Sequence, residues 1–268
     1  SDGGNPLKWV SMKVMSLQSG SNGNCLCVQA ADATILLDAG ISGKRAQQRL
    51  EAGGVDIREV DAMLISHDHA DHVSCAGIYQ RKFHLPMHIT GPTLEASRVR
   101  RKLGKLGEVS LFTAGDVLNV GEARIETIPT PHDGADGVGF VITDGRRRLG
   151  VLTDLGTVFA ELPDVIASLD AVVIESNFDP HMLEAGAYPW FLKERITGPG
   201  GHLANDEAAD LVSRCGGRQL QWVCLAHLSG DNNRPDLAVS TWRDIIGPDL
   251  PVHLAGRYEP TDWFEVAE

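Results

Sequence analysis

The stretch at residues 67–72, His-Asp-His-Ala-Asp-His, restricts what this chain can fold into more than any other. It follows directly on an apolar run at 60–65 that predicts a strand, so its polar side chains come where a strand ends. Three imidazoles and two carboxylates in one short loop are costly to bury unless a cation compensates them. Side chains at 67, 69 and 71 or 72 can turn toward one point, and four candidate ligands can begin two metal sites.

Further candidate ligands stand later in the chain. His132 follows the apolar run 125–128, Asp154 ends Gly-Val-Leu-Thr-Asp, and His227 ends Trp-Val-Cys-Leu-Ala-His. Taken alone, each is more often a capping residue or a surface group. Because each ends an apolar run of strand length, as the first loop does, together they predict a metal centre built at strand ends.

Short strand patterns alternate with helix patterns along the chain, and no repeat or linker divides it. Strands are predicted at 12–17, 25–29, 34–37, 60–65, 86–89, 109–112, 123–128, 137–142, 149–153, 171–174 and 219–225. Helices are predicted at 42–52, 93–103, 157–168, 205–215 and 234–245. We expect a single domain over 12–260, a flexible N-terminal segment over 1–11 and a C-terminal tail over 261–268.

The composition limits the partners and the compartment of the protein. A net charge of −12 argues against nonspecific coating of nucleic acid and leaves room only for a local basic groove. Basic runs at 98–105 and 146–148 are candidates, although such runs are more often solvated faces. Five scattered cysteines, no secretion signal and no run of about eighteen apolar residues predict a cytoplasmic protein that does not span a membrane.

The order of the candidate ligands resembles that of the metallo-β-lactamase superfamily over almost the whole chain. The resemblance implies an α+β fold, a four-layer αββα sandwich of two mixed sheets with helices outside and the metals at one edge. It further implies that Asp38 orients the ligand loop by hydrogen bonds. It assigns seven metal ligands, with His67, His69 and His132 on one ion, Asp71, His72 and His227 on the other, and Asp154 bridging.

The metal is expected to be zinc. Diiron oxygen and nitric oxide reductases of this fold carry glutamate at the position of His69, whereas imidazole suits zinc. Hydrolysis is therefore preferred over redox chemistry. Manganese remains an alternative to zinc, because histidine and carboxylate sites accept several divalent ions.

Two further residues indicate the leaving group. Glu175 ends an apolar strand and His202 precedes a predicted helix; on the residues alone, both are as readily ordinary strand-end and pre-helix groups. In the phosphodiesterase branch of the superfamily, including tRNase Z, a glutamate and a histidine from such segments pair beside the metals. This resemblance implies that Glu175 orients His202, and that His202 protonates the leaving oxygen while Asp71 acts at the metals.

Several residues near these segments are candidates for contacting substrate. Asn205, with the amides at 204 and 205, could accept a phosphate at a helix start, and Ser229 and Asn232 could bind a phosphate oxygen. Trp190 and Phe191 follow Pro189 and are open to two interpretations. They could stack a nucleic-acid base, or they could pack a lid segment, which is the commoner role.

Six stretches, SLQSGSNGNC, LLDAGIS, SHDHADH, ESNFD, GHLAN and LAHLSGDNN, resemble the WalJ (YycJ) group, which is associated with 5′-to-3′ DNA exonuclease activity and mismatch repair. We therefore expect a dinuclear metal-dependent phosphodiester hydrolase that acts on DNA ends. Three alternatives stay open: a small-molecule cyclic phosphodiesterase, a thioester or lactone hydrolase that survives loss of His202, and a noncatalytic binding member of the fold. The last should lack metal ligands, and none is missing here.

Overall fold

The computed structural model describes residues 11–267. Within this range, strands and helices alternate as the sequence predicts. The strands are β1 (Met12–Gln18), β2 (Cys25–Ala30), β3 (Ala33–Leu37), β4 (Ala62–Leu64), β5 (Met87–Thr90), β6 (Val109–Phe112), β7 (Val117–Val120), β8 (Ala123–Pro129), β9 (Val138–Thr143), β10 (Arg148–Leu152), β11 (Ala171–Glu175), β12 (Trp222–Ala226), β13 (Val252–Leu254) and β14 (Phe264–Val266). The helices are α1 (Gly43–Ala52), α2 (Ala70–Val73), α3 (Ala76–Phe83), α4 (Gly91–Arg101), α5 (Leu162–Ala167), α6 (Pro180–Ala185), α7 (Trp190–Thr197), α8 (Asn205–Cys215) and α9 (Pro235–Ile246).

The strands form two mixed sheets. The first has the order β14-β1-β2-β3-β4-β5-β6 and is parallel from β3 to β6. The second has the order β13-β12-β11-β10-β9-β8-β7 and is parallel from β10 to β13. Because parallel strands end at the same edge, the residues that follow β3 and β4, and those that follow β10, β11 and β12, are brought together in two sets.

Alternating side chains of the two sheets build three apolar layers. Val14, Ile35 and Phe140 belong to the layer between the sheets. On the outer face of the first sheet, α1, α3 and α4 cover a second layer, in which Cys25 and Cys27 are fully buried as thiols rather than metal ligands. On the outer face of the second sheet, a third layer lies under α5, α8 and α9. This arrangement confirms the four-layer αββα sandwich.

The C-terminal segment corrects one prediction. Residues 261–268 were expected to form a tail, but β14 pairs antiparallel with β1, placing Val266 opposite Met12. Val266 is fully buried, and its carbonyl oxygen accepts a hydrogen bond of 3.0 Å from Nη1 of Arg147. A strand of three residues is too short to produce a recognisable alternation, so its pairing with β1 could not be foreseen.

Other differences concern short elements. The helix predicted over 157–168 is confined to Leu162–Ala167, and β7, β13, α2, α3, α6 and α7 were not predicted. The predicted flexible segment over 1–11 lies outside the described residues except for Ser11. Among residues 11–267, no helix has the length and apolar character that crossing a membrane requires.

Candidate metal centre

The candidate ligands come from the ends of strands in both sheets. The loop with His67 follows β4, Asp38 follows β3, Asp154 follows β10 and His227 follows β12. Asp38, Asp154 and His227 have positive φ angles of 64°, 56° and 54°. Residues other than glycine seldom adopt this left-handed conformation, and where they do the surrounding structure holds them in it. Here the conformation occurs at the residue where a strand ends and its polar side chain joins the cluster.

Two groups of three side chains form the centre. Ligand atoms of His67, His69 and His132 lie within 4.8 Å of one another, and so do those of Asp71, His72 and His227. In the first group, Nε2 of His132 is 3.2 Å from Nδ1 of His69. In the second, Nε2 of His227 is 3.3 Å from Oδ2 of Asp71. The structure therefore brings together both sets of three residues that the superfamily resemblance implies.

Asp154 lies between the two groups. Its Oδ2 is 3.3 Å from Nε2 of His72, and its Oδ1 is 3.6 Å from Nε2 of both His132 and His227. Burial opposes ionisation of this carboxyl, but the surrounding imidazoles, His227 and His72 first, hold its pKa well below the ordinary value. Asp154 is therefore a carboxylate at neutral pH and can reach a cation in either group.

Two buried atoms show that the cluster fits a divalent cation. Nε2 of His67 and Oδ2 of Asp154 are buried without a hydrogen-bond partner among residues 11–267. Burial, followed by repulsion from neighbouring imidazoles, lowers the pKa of His67 well below its ordinary value and also lowers that of His69. Both imidazoles are neutral at pH 7, as metal ligands must be. A bound cation would satisfy the buried lone pairs that have no hydrogen-bond donor.

Asp38 supports the second group without facing its centre. Nδ1 of His72 donates to Oδ2 of Asp38 over 2.7 Å, and the amide of Ser66 donates to Oδ1 over 2.8 Å. Because a carboxylate only accepts, this contact places a proton of His72 on Nδ1 and turns Nε2 toward Asp71 and Asp154. The structure thus places Asp38 where the sequence located it, behind the ligand loop.

Glu175 and His202 form a pair at the edge of the centre. Nδ1 of His202 is 2.5 Å from Oε1 of Glu175, which is fully buried and accepts the amide of Leu155 at its other oxygen over 3.0 Å. The ring of His202 stacks on that of His227 with centroids 5.3 Å apart. Burial disfavours its protonation, but the charge and hydrogen bond of Glu175, and then Asp154, raise the pKa of His202 to about 9.

Comparison with known proteins places this geometry in a family. The family model described as "Beta-lactamase superfamily domain" matches residues 33–224. The chain is 34% identical to exodeoxyribonuclease YycJ of Bacillus anthracis, over 83% of this chain and 84% of that protein. It is 31% identical to exodeoxyribonuclease WalJ of Streptococcus pneumoniae (strain D39), over 87% of each chain. The chain belongs to the metallo-β-lactamase superfamily, in its WalJ-like branch.

A solved structure shows the same fold at greater sequence distance. The metallo-β-lactamase fold protein YhfI of Bacillus subtilis superposes with a TM-score of 0.73 and 18% identity, covering 94% of this chain and 100% of that one. In agreement with the superfamily assignment, this chain is a metal-dependent hydrolase.

Sequence reasoning missed three residues that hold the ligands of this metallo-β-lactamase domain. Asn24 donates from Nδ2 to Oδ2 of Asp71 over 3.2 Å. Asp68 is fully buried and accepts from Nη1 of Arg100 over 2.8 Å. Their positions in the sequence could have identified both residues, because Asp68 lies within the ligand loop and Asn24 lies in a glycine-rich turn. The basic run on α4 is therefore more than a solvated face, because Arg100 anchors the loop that carries the ligands.

Asp133 is the third missed residue, and it directly follows His132. Its Oδ1 lies 3.3 Å from Nε2 of His69, and its Oδ2 accepts from Nε of Arg195 over 2.7 Å. Burial opposes ionisation of Asp133, but the hydrogen bond from Arg195 and the charge of His132 lower its pKa below the ordinary value. Asp133 is thus a carboxylate that connects a ligand of the first group to α7.

The prediction that Asn205 contacts substrate is wrong. Asn205 is fully buried; its Oδ1 accepts from Ser176 over 2.6 Å and its Nδ2 donates to Asn233 over 3.0 Å. Its backbone amide donates to the carbonyl of Phe178 over 2.9 Å. A helix-start pattern does not reveal which way the side chain points, and here tertiary packing turns it inward to join α8 to the loops after β11 and β12.

The amide of Ala204 is also occupied, because it donates to Oε2 of Glu207 over 3.0 Å. The predicted phosphate site at the start of α8 is therefore not formed. Ser229 and Asn232 lie in the loop after β12, where the hydroxyl of Ser229 accepts the amide of Asn232 over 3.2 Å. Asn232 is 1% exposed, and its Nδ2 has no hydrogen-bond partner among the described residues.

Proposed function

We propose that this chain is a dinuclear phosphodiester hydrolase that releases nucleotides from the 5′ end of DNA. The observation that carries the proposal is the pair Glu175 and His202, held with a 2.5 Å contact beside two groups of ligands that share Asp154. The names of the relatives, exodeoxyribonucleases YycJ and WalJ, support DNA as the substrate. Processing of DNA ends during repair in the cytoplasm is the role that follows.

The ligand sets proposed for the two ions are those that the superfamily resemblance implies. His67, His69 and His132 hold one cation, Asp71, His72 and His227 hold the other, and Asp154 reaches both. Neutral imidazoles with few carboxylates favour zinc, and manganese is the alternative. Lewis acidity toward a phosphoryl oxygen and activation of water are the chemistry that two bound cations supply at this place.

Glu175 and His202 supply the proton that the leaving oxygen needs. Glu175 keeps the proton of His202 on Nδ1 and holds the ring in one orientation, so that the opposite nitrogen can give a proton to the leaving oxygen. An alkoxide leaving group needs such a proton, whereas a thiolate does not. A buried carboxylate dedicated to charging this imidazole therefore favours phosphodiesters over thioesters.

The test is digestion of 5′-labelled and internally labelled single- and double-stranded DNA and RNA, with zinc or manganese added. We expect stepwise release from the 5′ end of DNA that Asp71→Ala abolishes and His202→Ala lowers by about 10²- to 10⁴-fold. His84→Asn, an exposed histidine outside the centre, is the matched control. Hydrolysis of bis-p-nitrophenyl phosphate without cleavage of any polymer would overturn the proposal and favour a cyclic phosphodiester substrate.

A further inference from the structure

We propose that α7 is a docking platform for the bases of a single DNA strand, with the rings of Trp190 and Phe191, 85° apart, as two separate stacking faces. The inference rests on the proposed nuclease function and adds the form of the substrate to it. It requires that the two rings are available, that the helix is fixed to the catalytic centre, and that the charge nearby suits a phosphate backbone.

The two rings are available to solvent. Trp190 is 71% exposed and Phe191 is 61% exposed, and none of the residues of α7 is fully buried. The small apolar cluster under this segment takes up Ile196 and Tyr188 instead, against Phe178. The helix is thus attached by its far end and holds two large aromatic side chains outside the core, which is the signature of an interaction surface.

The far end of α7 is fixed to the catalytic centre. The amide of His202 donates to the carbonyl of Ile196 over 2.9 Å, and Arg195 donates to Asp133 over 2.7 Å. Trp190 lies six residues before Ile196, or about 9 Å along a helix at about 1.5 Å per residue. That distance corresponds to about two or three stacked nucleotides at about 3.4 Å each. The platform therefore lies within reach of bases next to the phosphate that is cut.

The charge around the platform suits a phosphate backbone. Lys193 on α7 donates to the carbonyl of Glu184, and Arg257 donates over 3.0 Å both to the carbonyl of Leu228 and to the hydroxyl of Ser21. These acceptors are neutral, and within residues 11–267 neither cation forms an ion pair with a carboxylate. In a chain of net charge −12, Arg257 provides positive charge beside the loop that follows His227, and Lys193 provides it on α7.

Rings combined with cations suit single strands in particular. Bases in a duplex are already stacked on one another and offer no free face, whereas an unpaired base can stack on an aromatic side chain whatever its sequence. We therefore expect the platform to bind unpaired DNA, such as the strand peeled from a duplex end, and to leave duplex affinity little changed.

The experiment measures turnover on a short oligothymidylate and on bis-p-nitrophenyl phosphate, for the wild type, Trp190→Ala, Phe191→Ala and Trp190→Phe. Each alanine variant should lower kcat/KM on the oligonucleotide about tenfold relative to that on bis-p-nitrophenyl phosphate, mainly through KM. Trp190→Phe should restore most of the loss. Val99→Ala, a 74% exposed residue on α4, is the control and should change neither substrate.

Binding is measured separately, so that this proposal and the nuclease proposal can fail independently. With Asp71→Ala as background, fluorescence anisotropy gives Kd for the labelled oligonucleotide and for a duplex of the same length. A tenfold weaker Kd for the single strand in Trp190→Ala supports the platform even if no polymer is cut. An unchanged Kd overturns it. So does a loss of turnover equal on both substrates, or a change of oligomeric state in sedimentation without a change in Kd, which would assign these rings to a second copy of the chain.

Discussion

Oδ1 of Asp133 lies 3.3 Å from Nε2 of His69. The carboxylate lies on the Nε2 side of the ring, so Nδ1 of His69 is the nitrogen that faces His132, 3.2 Å from its Nε2. The other oxygen of Asp133 is held by Arg195, so the ligand and the helix that carries Trp190 are joined through a single side chain. A residue outside both groups of candidate ligands thus helps to set the geometry of the first group.

Replacing Asp133 should weaken metal binding. We expect Asp133→Ala to lower the affinity of the first cation by about 10- to 100-fold, because His69 loses the carboxylate that lies against its Nε2. Asp133→Asn keeps an acceptor oxygen and should recover part of the loss. Competition with a chromophoric chelator measures the affinity, and Asp206→Ala, on the exposed side of α8, is the control. Equal affinity in Asp133→Ala and wild type would contradict the orienting role.

Replacing Glu175 should shift the pH profile. The raised pKa of His202 means that the proton is present below that value and is lost as pH rises through it, so activity falls on the alkaline side. Glu175→Gln removes the charge that raises this pKa, and the alkaline limb of kcat/KM should move to lower pH. Bound cations also act on this limb, so the comparison between variant and wild type at equal metal loading is the measurement. A limb at the same pH in both proteins would rule out this control by Glu175.

Removing Arg100 should destabilise the ligand loop. Arg100→Ala leaves the buried carboxylate of Asp68 with only backbone donors, such as the amide of Ala135 at 2.8 Å. The guanidinium of Arg100 is largely exposed and therefore screened by solvent. We expect Arg100→Ala to lower the free energy of unfolding by about 1 kcal/mol. Urea denaturation checks this, with the exposed Arg98→Ala on the same helix as control. The loss should be larger in the metal-loaded protein if the loop also loses affinity for metal.

Asn205 gives a test of its corrected role. Asn205→Ala removes the partners of Ser176 and Asn233 in a buried network and should cost about 1–3 kcal/mol of unfolding free energy. KM for DNA at a temperature where the variant is folded should stay that of wild type. A raised KM with unchanged stability would instead restore Asn205 as a substrate contact.

The cluster of candidate ligands could be predicted because its signal is local. A single polar residue at the end of an apolar strand, such as Asp154 or His227, can be recognised in the sequence. Parallel strands then bring these ends to one edge of the sheet. The sandwich was predicted from the superfamily resemblance, which the order of these strand-end residues carried. For both, short-range pattern and tertiary structure agree.

The remaining features depend on contacts that short-range pattern does not contain. The importance of Asp133 is visible only in the structure, where Arg195 on α7 contacts it. Asn205 stands in a sequence typical of a helix start, but its side chain belongs to a buried hydrogen-bond network. The helix α7 was missed because it has no buried face, and therefore no apolar periodicity to detect. Tertiary contacts decide these cases.

The positive φ angles at Asp38, Asp154 and His227 bear on how the protein folds. Each residue is held against its own conformational preference, at a cost of about 1 kcal/mol or more. In energy-landscape theory such positions are locally frustrated, because the local backbone preference conflicts with the overall fold. Elsewhere in the sandwich, local preference and overall fold agree. Hydrogen exchange should therefore find that the ends of β3, β10 and β12 open at a lower free energy than the strand interiors.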